Sequence, residues 1–372
     1  MKFTTYSDEV ITDKQIRIAV LSMIIGVGVL SLPGGIASAT MGADGWVSLV
    51  IAGISQMFII YLMAKVASSF PKQSFLAYTS KLVSKPVAVI LTLLFAIFYT
   101  GVAAYDLRML GHTSEQYLFN HTPVEIVTLT FLLVVIYAVS GSRAGIMRLN
   151  ILFLPTIFVA LLIVLMLSIK FIDPSNVLPM FKTDLKGYWD GIRTSALSYI
   201  GVSIVLFYTA FVDKPKNIPK ASVVGMIVPI VVYILVYLAC ILVFGQSATS
   251  HLLFPTVDLA KRLDLPGGIL ERMEAIFFTV WTLGVFTTAI MAFDIALLAL
   301  QSLFKRMKKI HLIFILSPIL YYISMIPKNT NQIVLYGDYL AAFLYIYGYV
   351  VAILLFIVLK ARKGKTNGKK NQ

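Results

Sequence analysis

Apolar runs long enough to cross a lipid bilayer recur along the whole chain. A helix needs about 20 consecutive apolar residues to span a hydrocarbon layer about 30 Å thick. Ten runs of this kind are present, at roughly 16–37, 45–65, 86–107, 123–141, 149–170, 192–213, 221–245, 272–304, 310–326 and 337–360. Hydrophobic residues make up 59% of the chain and charged residues only 13%, which excludes a single water-soluble core. The sequence therefore predicts an all-α membrane protein with ten transmembrane helices.

The basic residues lie in short clusters between the apolar runs, although the formal net charge is +14. This distribution predicts contact with a lipid bilayer and a fixed topology, and argues against a nucleic-acid partner. With the amino terminus inside, 22 of the 31 Lys and Arg fall in cytoplasmic segments, so both termini are predicted to be cytoplasmic. We expect one membrane domain over residues 1–360, a structured surface excursion over 171–191, and a basic, disordered tail over 361–372.

The residue types needed for catalysis or metal binding do not occur in suitable patterns. Cys240 is the one cysteine and lies within an apolar run, so neither a disulfide within the chain nor a cysteine-based metal site is possible. The four histidines fall in loops or at span ends, and no pair has the helical spacing of metal ligands. The sequence contains no phosphate-binding loop and no nucleophile elbow. We therefore expect no catalytic residues, no metal, no cofactor and no enzymatic activity.

Helix-breaking residues are concentrated in the first apolar run, between Gly26 and Gly35. Relative to Ala, each Gly costs about 1 kcal/mol and Pro33 about 3 kcal/mol in an ordinary helix. Irregular backbone at membrane depth persists only where it is buried in protein or lines a cavity. The segment 26–35 is thus predicted to interrupt the helix and form a binding site, since the N–H groups opening the next half-helix suit a carboxylate. The alternative is that the small residues only permit close helix packing.

A weaker interruption is predicted in the sixth run, at 198–203. The first and sixth runs lead two halves of five spans each, about 12–172 and 190–360. Interrupted leading helices are typical of inverted-repeat transporters, whose binding site lies between the two breaks near the bilayer midplane. The sequence therefore predicts a five-plus-five inverted repeat with discontinuous helices 1 and 6.

Two helix starts carry local signals. The sequence Thr12-Asp13-Lys14-Gln15 fits a capping box, in which the Thr hydroxyl and the Gln side chain satisfy each other's backbone N–H groups. The same device is predicted at Thr122-Pro123-Val124-Glu125, so we interpret Glu125 as a helix cap rather than a catalytic group.

Several motifs in a fixed order resemble a known family over nearly the full chain. These are Ile11-Thr12-Asp13-Lys14-Gln15, Gly26-Val27-Gly28-Val29-Leu30 followed by Leu32-Pro33, Asp44-Gly45-Trp46, and Arg108 preceding Thr122-Pro123. In this combination the chain resembles the B subunit of GerA-type nutrient germinant receptors of bacterial endospores, a family within the amino acid–polyamine–organocation superfamily.

The resemblance implies an inverted repeat in which spans one and six are unwound around a small nutrient, expected to be an amino acid. The superfamily's binding positions carry over onto Gly26, Gly28 and Ser31 in span one, and onto Gly201 and Ser203 in span six. Many relatives have an acidic residue near the last of these positions, and this chain does not. The resemblance also implies A-type and C-type partner subunits, location in the spore inner membrane, and a role in sensing nutrients. An amino acid permease working by alternating access is the alternative.

One acidic residue, Asp294, falls deep inside a predicted span. It precedes Lys305 by 11 residues, about 16 Å along a helix, and ionisable groups at such a depth are functional candidates by default. We interpret it as an ion-binding or gating candidate, together with Thr287 and Thr288, where sodium-coupled relatives of the superfamily place hydroxyl ligands. The alternative is that both hydroxyls bond their own backbone. Asp106 is expected near the outer interface, in a structural contact, with the alternative that it faces the cavity, which the third span lines in the superfamily's fold.

Overall fold

The computed structural model of the protein describes residues 10–26, 28–118, 121–262 and 273–368. Within these ranges the regular structure is helical, apart from one isolated bridge between Ile11 and Val212. The α-helices are α1 Asp13–Ile25, α2 Gly28–Ala39, α3 Gly45–Ser68, α4 Phe75–Leu82, α5 Lys85–Tyr117, α6 Val124–Ser140, α7 Arg143–Ser168, α8 Leu185–Thr194, α9 Val205–Tyr208, α10 Ile218–His251, α11 Pro255–Lys261, α12 Met273–Leu303, α13 Lys309–Ser324, α14 Thr330–Phe343 and α15 Tyr349–Gly368.

Three kinds of helical segment account for the ten predicted spans. Six segments in the described ranges are long and apolar enough to cross a membrane. Two bent pairs pass the same test together, α1 with α2 and α8 with the segment 198–211. Two shorter apolar helices, α6 and α13, complete the set. The predicted all-α membrane architecture is confirmed, while the count of ten full crossings stays a prediction.

The first break is narrower than predicted. α1 ends at Ile25, α2 begins at Gly28, and the two axes differ by 52°; Val27 lies outside the described residues. Pro33 sits within α2 and does not interrupt it. A proline has no N–H to donate to the carbonyl four residues earlier, and that carbonyl, on Val29, accepts instead from the Thr256 hydroxyl at 2.7 Å. A side chain from a distant helix thus lets α2 continue through the proline.

The second break lies earlier than predicted. α8 and the segment 198–211 meet at 55°, so the bend falls between Thr194 and Ser198 rather than within 198–203. The predicted interruption itself forms a 3-10 helix, Leu197–Ile204, in which Tyr199 has non-helical angles. Discontinuity of helices 1 and 6 is confirmed; in span six the predicted segment 198–203 departs from α-helical geometry, and the 55° bend lies just before it. The residues Ser195 and Ala196, which form the turn, carry no Gly or Pro signal.

The excursion between α7 and α8 is structured, as expected, and one carboxylate anchors it. Asp44, just before α3, accepts backbone N–H bonds from Phe181 at 2.6 Å, Lys182 at 2.9 Å and Thr183 at 3.0 Å. The Thr183 hydroxyl donates to the same carboxylate at 2.9 Å. The excursion is therefore fixed to the start of the second span.

The predicted helix ends are partly confirmed. The capping box at Thr12 and Gln15 is present. At α6 the N-cap is Pro123, without a side-chain hydrogen bond, so the predicted capping role of Glu125 is wrong. The last helix continues to Gly368, so the first residues of the predicted tail are helical rather than disordered; residues 369–372 lie outside the described residues.

Candidate functional site

A small buried cavity lies where the two breaks meet. Its volume is about 30 Å³, close to the share of one water molecule in the liquid. Four spans contribute to its wall, through the residues Met23, Ile24, Gly28, Val102, Tyr105, Asp106, Ser198, Ile200 and Thr288. The cavity is therefore built from helix 1, α5, the second half of helix 6, and α12.

Side chains from other spans satisfy the carbonyl groups that the first break frees. The indole N–H of Trp281 donates to the carbonyl of Gly26 at 2.8 Å. The hydroxyl of Tyr233 lies within hydrogen-bond distance of the carbonyl of Ile24 and, at 3.0 Å, of the carbonyl of Ser198. Since lipid offers no partner for a backbone carbonyl, these contacts allow irregular backbone at membrane depth. Tyr233 also joins the two breaks directly.

The glycines of the first break permit this close packing. A Cβ atom on Gly28 would come within 2.8 Å of the Ser198 Cα atom and 2.7 Å of the Tyr233 hydroxyl oxygen. A Cβ atom on Gly26 would overlap the side chain of Thr288. The packing alternative therefore applies to both glycines, and the binding interpretation stays a prediction, since the same glycines also border the cavity.

Asp106 is the functional candidate that the sequence argument misplaced. It is only 3% exposed and lines the central cavity, and its Oδ2 atom has no hydrogen-bond partner among the described residues. The expected position at the outer interface is wrong because α5 continues for 11 residues beyond Asp106, to Tyr117. The available signal was the absence of any proline between Arg108 and Pro123. A buried carboxylate without a partner is costly unless something neutralises it.

The predicted binding positions are distributed unevenly around the cavity. Gly28 lines it and Gly26 borders it through Thr288. Ser31 lies in α2, half-buried, outside the lining set. In span six the lining residues are Ser198 and Ile200, whereas Gly201 packs against Met23 and the Ser203 hydroxyl bonds Tyr99 at 2.7 Å. The shift follows from the earlier position of the second break.

The predicted threonine pair bonds its own helix. Thr287 donates to the carbonyl of Gly284 at 2.8 Å, and Thr288 to that of Val285 at 2.9 Å. These bonds are the backbone alternative. Thr287 also contacts the Ser22 hydroxyl at 3.0 Å, and Thr288 lines the cavity beside Asp106. Only Thr288 of this pair thus reaches the candidate site.

Asp294 is fully buried and forms a separate ionic cluster away from the cavity. Its carboxylate lies 3.4 Å from Arg143 Nε and 3.2 Å from Lys309 Nζ. Arg143 opens α7 and stacks on the Phe211 ring, 4.8 Å from its centroid, while Lys309 opens α13. The cluster therefore ties the starts of α7 and α13 to α12, and α7 also to the end of span six, at the end of the bundle predicted to be cytoplasmic.

No group of three or more His, Cys, Asp or Glu side chains that could hold a metal ion occurs in the described part of the chain. The chemistry that the cavity offers is one carboxylate, the hydroxyls of Ser198 and Thr288, and the backbone at the start of α2. Such a set recognises a small polar molecule through hydrogen bonds and charge.

Broken helices around a central site define a transporter-fold membrane protein, and solved structures share this fold. MhsT, solved in complex with L-phenylalanine, matches with a TM-score of 0.69 over 94% of this chain and 96% of its own, at 13% identity. Mhp1, a nucleobase-cation-symport-1 family transporter solved in a closed conformation with bromovinylhydantoin bound, gives 0.69 over 92% and 76%, at 13% identity. The chain is a multi-pass membrane protein with this architecture.

Sequence comparison identifies the family. A family model described as spore germination protein matches residues 10–333, and the chain belongs to that family. Spore germination protein GerLB of Bacillus cereus is 38% identical over 92% of each chain. Spore germination protein YndE of Bacillus subtilis (strain 168) is 28% identical over 95% of this chain and 97% of its own. The resemblance to B-type germinant receptor subunits is confirmed, and both family and fold fit a protein that is not an enzyme.

Proposed function

We propose that the chain is the B-type subunit of a nutrient germinant receptor, and that it binds a small nutrient, an amino acid, between the broken helices. Binding triggers spore germination together with A-type and C-type partner subunits. The protein resides in the spore inner membrane with both termini in the cytoplasm. The family match and the names of its relatives support the role in germination.

The observation that carries the binding proposal is the buried Asp106 carboxylate beside the first break, whose Oδ2 atom has no hydrogen-bond partner among the described residues. The proposed nutrient places its ammonium group on this carboxylate. Its carboxylate group binds the free N–H groups at the start of α2, where Gly28 allows close approach and Ser31 adds a hydroxyl. Asp106 thereby supplies from span three the acidic group that span six lacks near Ser203.

The size of the cavity suggests how binding is signalled. At about 30 Å³ it is an order of magnitude smaller than the 300–1,000 Å³ typical of small-molecule pockets. A nutrient therefore enters only if the helices around the breaks separate. Ligand that binds the separated arrangement more tightly shifts the population toward it. The partner subunits then respond to the moved helices.

Spores that carry Asp106→Asn in place of the wild-type protein test the binding proposal. Loss of one charge-assisted hydrogen bond, about 1.5–3 kcal/mol, corresponds to about 10- to 100-fold. We therefore expect the nutrient concentration for half-maximal release of dipicolinic acid to rise at least about tenfold. Asp213→Asn, a change at an exposed aspartate, is the control and should respond as wild type. Unchanged sensitivity of Asp106→Asn would remove this carboxylate from nutrient recognition.

The second candidate function is an amino acid permease that works by alternating access. The observation that favours it is the transporter fold shared with MhsT and Mhp1. The two candidates differ in what purified protein does in liposomes. A receptor subunit binds labelled amino acid without accumulating it, whereas a permease concentrates it when a sodium or proton gradient is imposed. Accumulation that is lost in Asp106→Asn would replace the receptor proposal with the permease.

A further inference from the structure

A second, larger pocket opens on the other side of α5, at its carboxyl-terminal end. Its volume is about 550 Å³, within the range of small-molecule sites. It is bounded by α5, the start of α6 and the loop between α13 and α14, through the residues Arg108, His112, Glu115, Val124, Glu125, Met325, Lys328, Asn329 and Thr330. The first three are spaced i, i+4 and i+7, so they share one face of α5.

The floor of this pocket is a buried cation. Arg108 is only 5% exposed, and its Nε atom has no hydrogen-bond partner among the described residues. A guanidinium stays charged and carries five N–H donors in a planar fork. Burying such a group without acceptors is costly. The planar fork matches a carboxylate, which accepts two parallel hydrogen bonds from it.

Two helix starts border the same pocket. α6 begins at Val124 behind Pro123, which provides no side-chain cap, so its first N–H groups lack that partner. α14 begins at Thr330, whose hydroxyl lies 3.1 Å from His112 Nε2, and the Asn329 side chain caps it by accepting from the Gln332 N–H at 3.0 Å. The first N–H groups of a helix have no partner within the helix and carry partial positive charge. Together with Arg108, the uncapped N–H groups at the start of α6 favour an anionic group in the interior of the pocket.

The rim of the pocket carries two negative charges and one positive charge. Glu115 and Glu125 are exposed and line the pocket, with the exposed Lys328 between α13 and α14. A simple anion that reached Arg108 would have to pass these carboxylates. A molecule with a carboxylate at one end and an ammonium group at the other satisfies both the floor and the rim.

We propose that this pocket is a second nutrient site, which binds a free α-amino acid with its carboxylate on Arg108 and its ammonium group on Glu115 and Glu125. The inference rests on the proposed function for the identity of the ligand as a nutrient. Arg108 and Asp106 are two residues apart on α5 and point to opposite sides of it. α5 is thus the common wall of both sites, and an amino acid held in the larger pocket contacts the helix that carries Asp106.

Binding by the full chain in nanodiscs of phosphatidylglycerol tests the proposal, since this lipid has no zwitterionic headgroup. The probe is an equimolar mixture of the twenty amino acids, followed by saturation-transfer difference NMR. Asp106→Asn weakens the central site and provides the background. We expect the Asp106→Asn protein still to bind amino acid. We expect the affinity to fall at least tenfold in the double variant that also carries Arg108→Gln. Arg193→Gln, a change at an exposed arginine on α8, should leave it unchanged. Amides of the bound amino acids, which lack the carboxylate, should not bind.

The outcomes separate the two sites. If wild type binds but Asp106→Asn does not, the second site is refuted and the central site stands. If Arg108→Gln has no effect in the Asp106→Asn background, Arg108 does not hold the ligand and the proposal fails. If wild type binds none of the twenty amino acids, both proposals fail. Glu115→Gln, at an exposed position, should also weaken binding in this background, and serves if the Arg108 variant does not fold.

Discussion

Three buried aspartates differ in the partners that their carboxylates have. Asp44 is 1% exposed and accepts four hydrogen bonds from the excursion. Asp294 is 0% exposed and lies between two cations. Asp106 is 3% exposed and has an oxygen without a partner among the described residues. Since an unpaired charge is the costly case, Asp106 is the one of these three aspartates with an oxygen left for the proposed ligand.

At the residue scale, Asp44 predicts a pH-dependent stability. Burial alone would raise the pKa of Asp44, but hydrogen bonds from the backbone of Thr183, Phe181 and Lys182 outweigh burial and lower it. A carboxylate whose pKa is lowered by folding stabilises the protein above its unfolded pKa, and this contribution is lost as the pH falls through the folded pKa. Thermal unfolding should therefore show Asp44→Asn less stable than wild type at pH 7, by about 2 kcal/mol.

The difference between the two proteins should shrink as the pH approaches 3. Other carboxylates titrate in both proteins alike, so the difference rather than either unfolding curve reports on Asp44. A difference that is constant from pH 7 to pH 3 would contradict the assigned hydrogen bonds.

At the element scale, each break is stabilised by helices far away in sequence. Trp281 on α12 and Tyr233 on α10 satisfy carbonyls of helix 1, and Thr256 on α11 does so for the turn before Pro33. The interruption is therefore a property of the assembled bundle. Helix 1 alone would leave these carbonyls unpaired in lipid.

The contact between Gly26 and Thr288 predicts a compensating pair of substitutions. Gly26→Ala should place its methyl group against the Thr288 Cγ2 atom and destabilise the protein by about 1–3 kcal/mol. Thr288→Ser removes that Cγ2 atom and should recover part of the loss in the double variant. Thermal unfolding of the two single variants and the double variant measures the coupling, and strictly additive effects would show that helix 1 and α12 do not touch there.

The sequence predicted the elements better than their ends. The break at Gly26 is predictable because glycines concentrate there, whereas the turn at Ser195 and Ala196 has no such signal and the sequence predicts the interruption at 198–203 instead. The third apolar run is predicted over 86–107, and Asp106, 21 residues beyond Lys85, is about 31 Å along a helix, which predicts a position at the outer interface. In the structure Arg108 is buried in a pocket between α5, the start of α6 and the loop before α14, and no local sequence pattern predicts that these segments meet there. Asp106 was misplaced for the same reason.

At the scale of the whole molecule, both ends of the bundle are closed around the small cavity. At one end Asp44 holds the excursion. At the other, Ile11 donates to the carbonyl of Phe211 at 2.9 Å, and Asp294 binds Arg143 and Lys309. Access to the cavity from either side therefore requires one of these sets of contacts to part.

Asp294→Asn should open the end that the ionic cluster closes. The substitution leaves two cations without their shared carboxylate, and breaking such a buried pair costs about 3 kcal/mol. A reporter cysteine at Ser22, which is 3% exposed, should then react several-fold faster with a maleimide added from the cytoplasmic side; the native Cys240 is 0% exposed and gives little background. Asp213→Asn is the control. Equal labelling rates in the two proteins would show that the cluster does not hold this end shut.

Tyr233 has one phenolic hydrogen and two carbonyl oxygens within its reach. At any instant the hydroxyl donates to only one of the two carbonyls, so Ile24 in span one and Ser198 in span six compete for the same hydrogen. An incoming ammonium group brings three hydrogens of its own, and we expect it to end that competition by serving whichever oxygen the phenol has released. Binding of one nutrient molecule would then change the hydrogen bonding of span one and span six together.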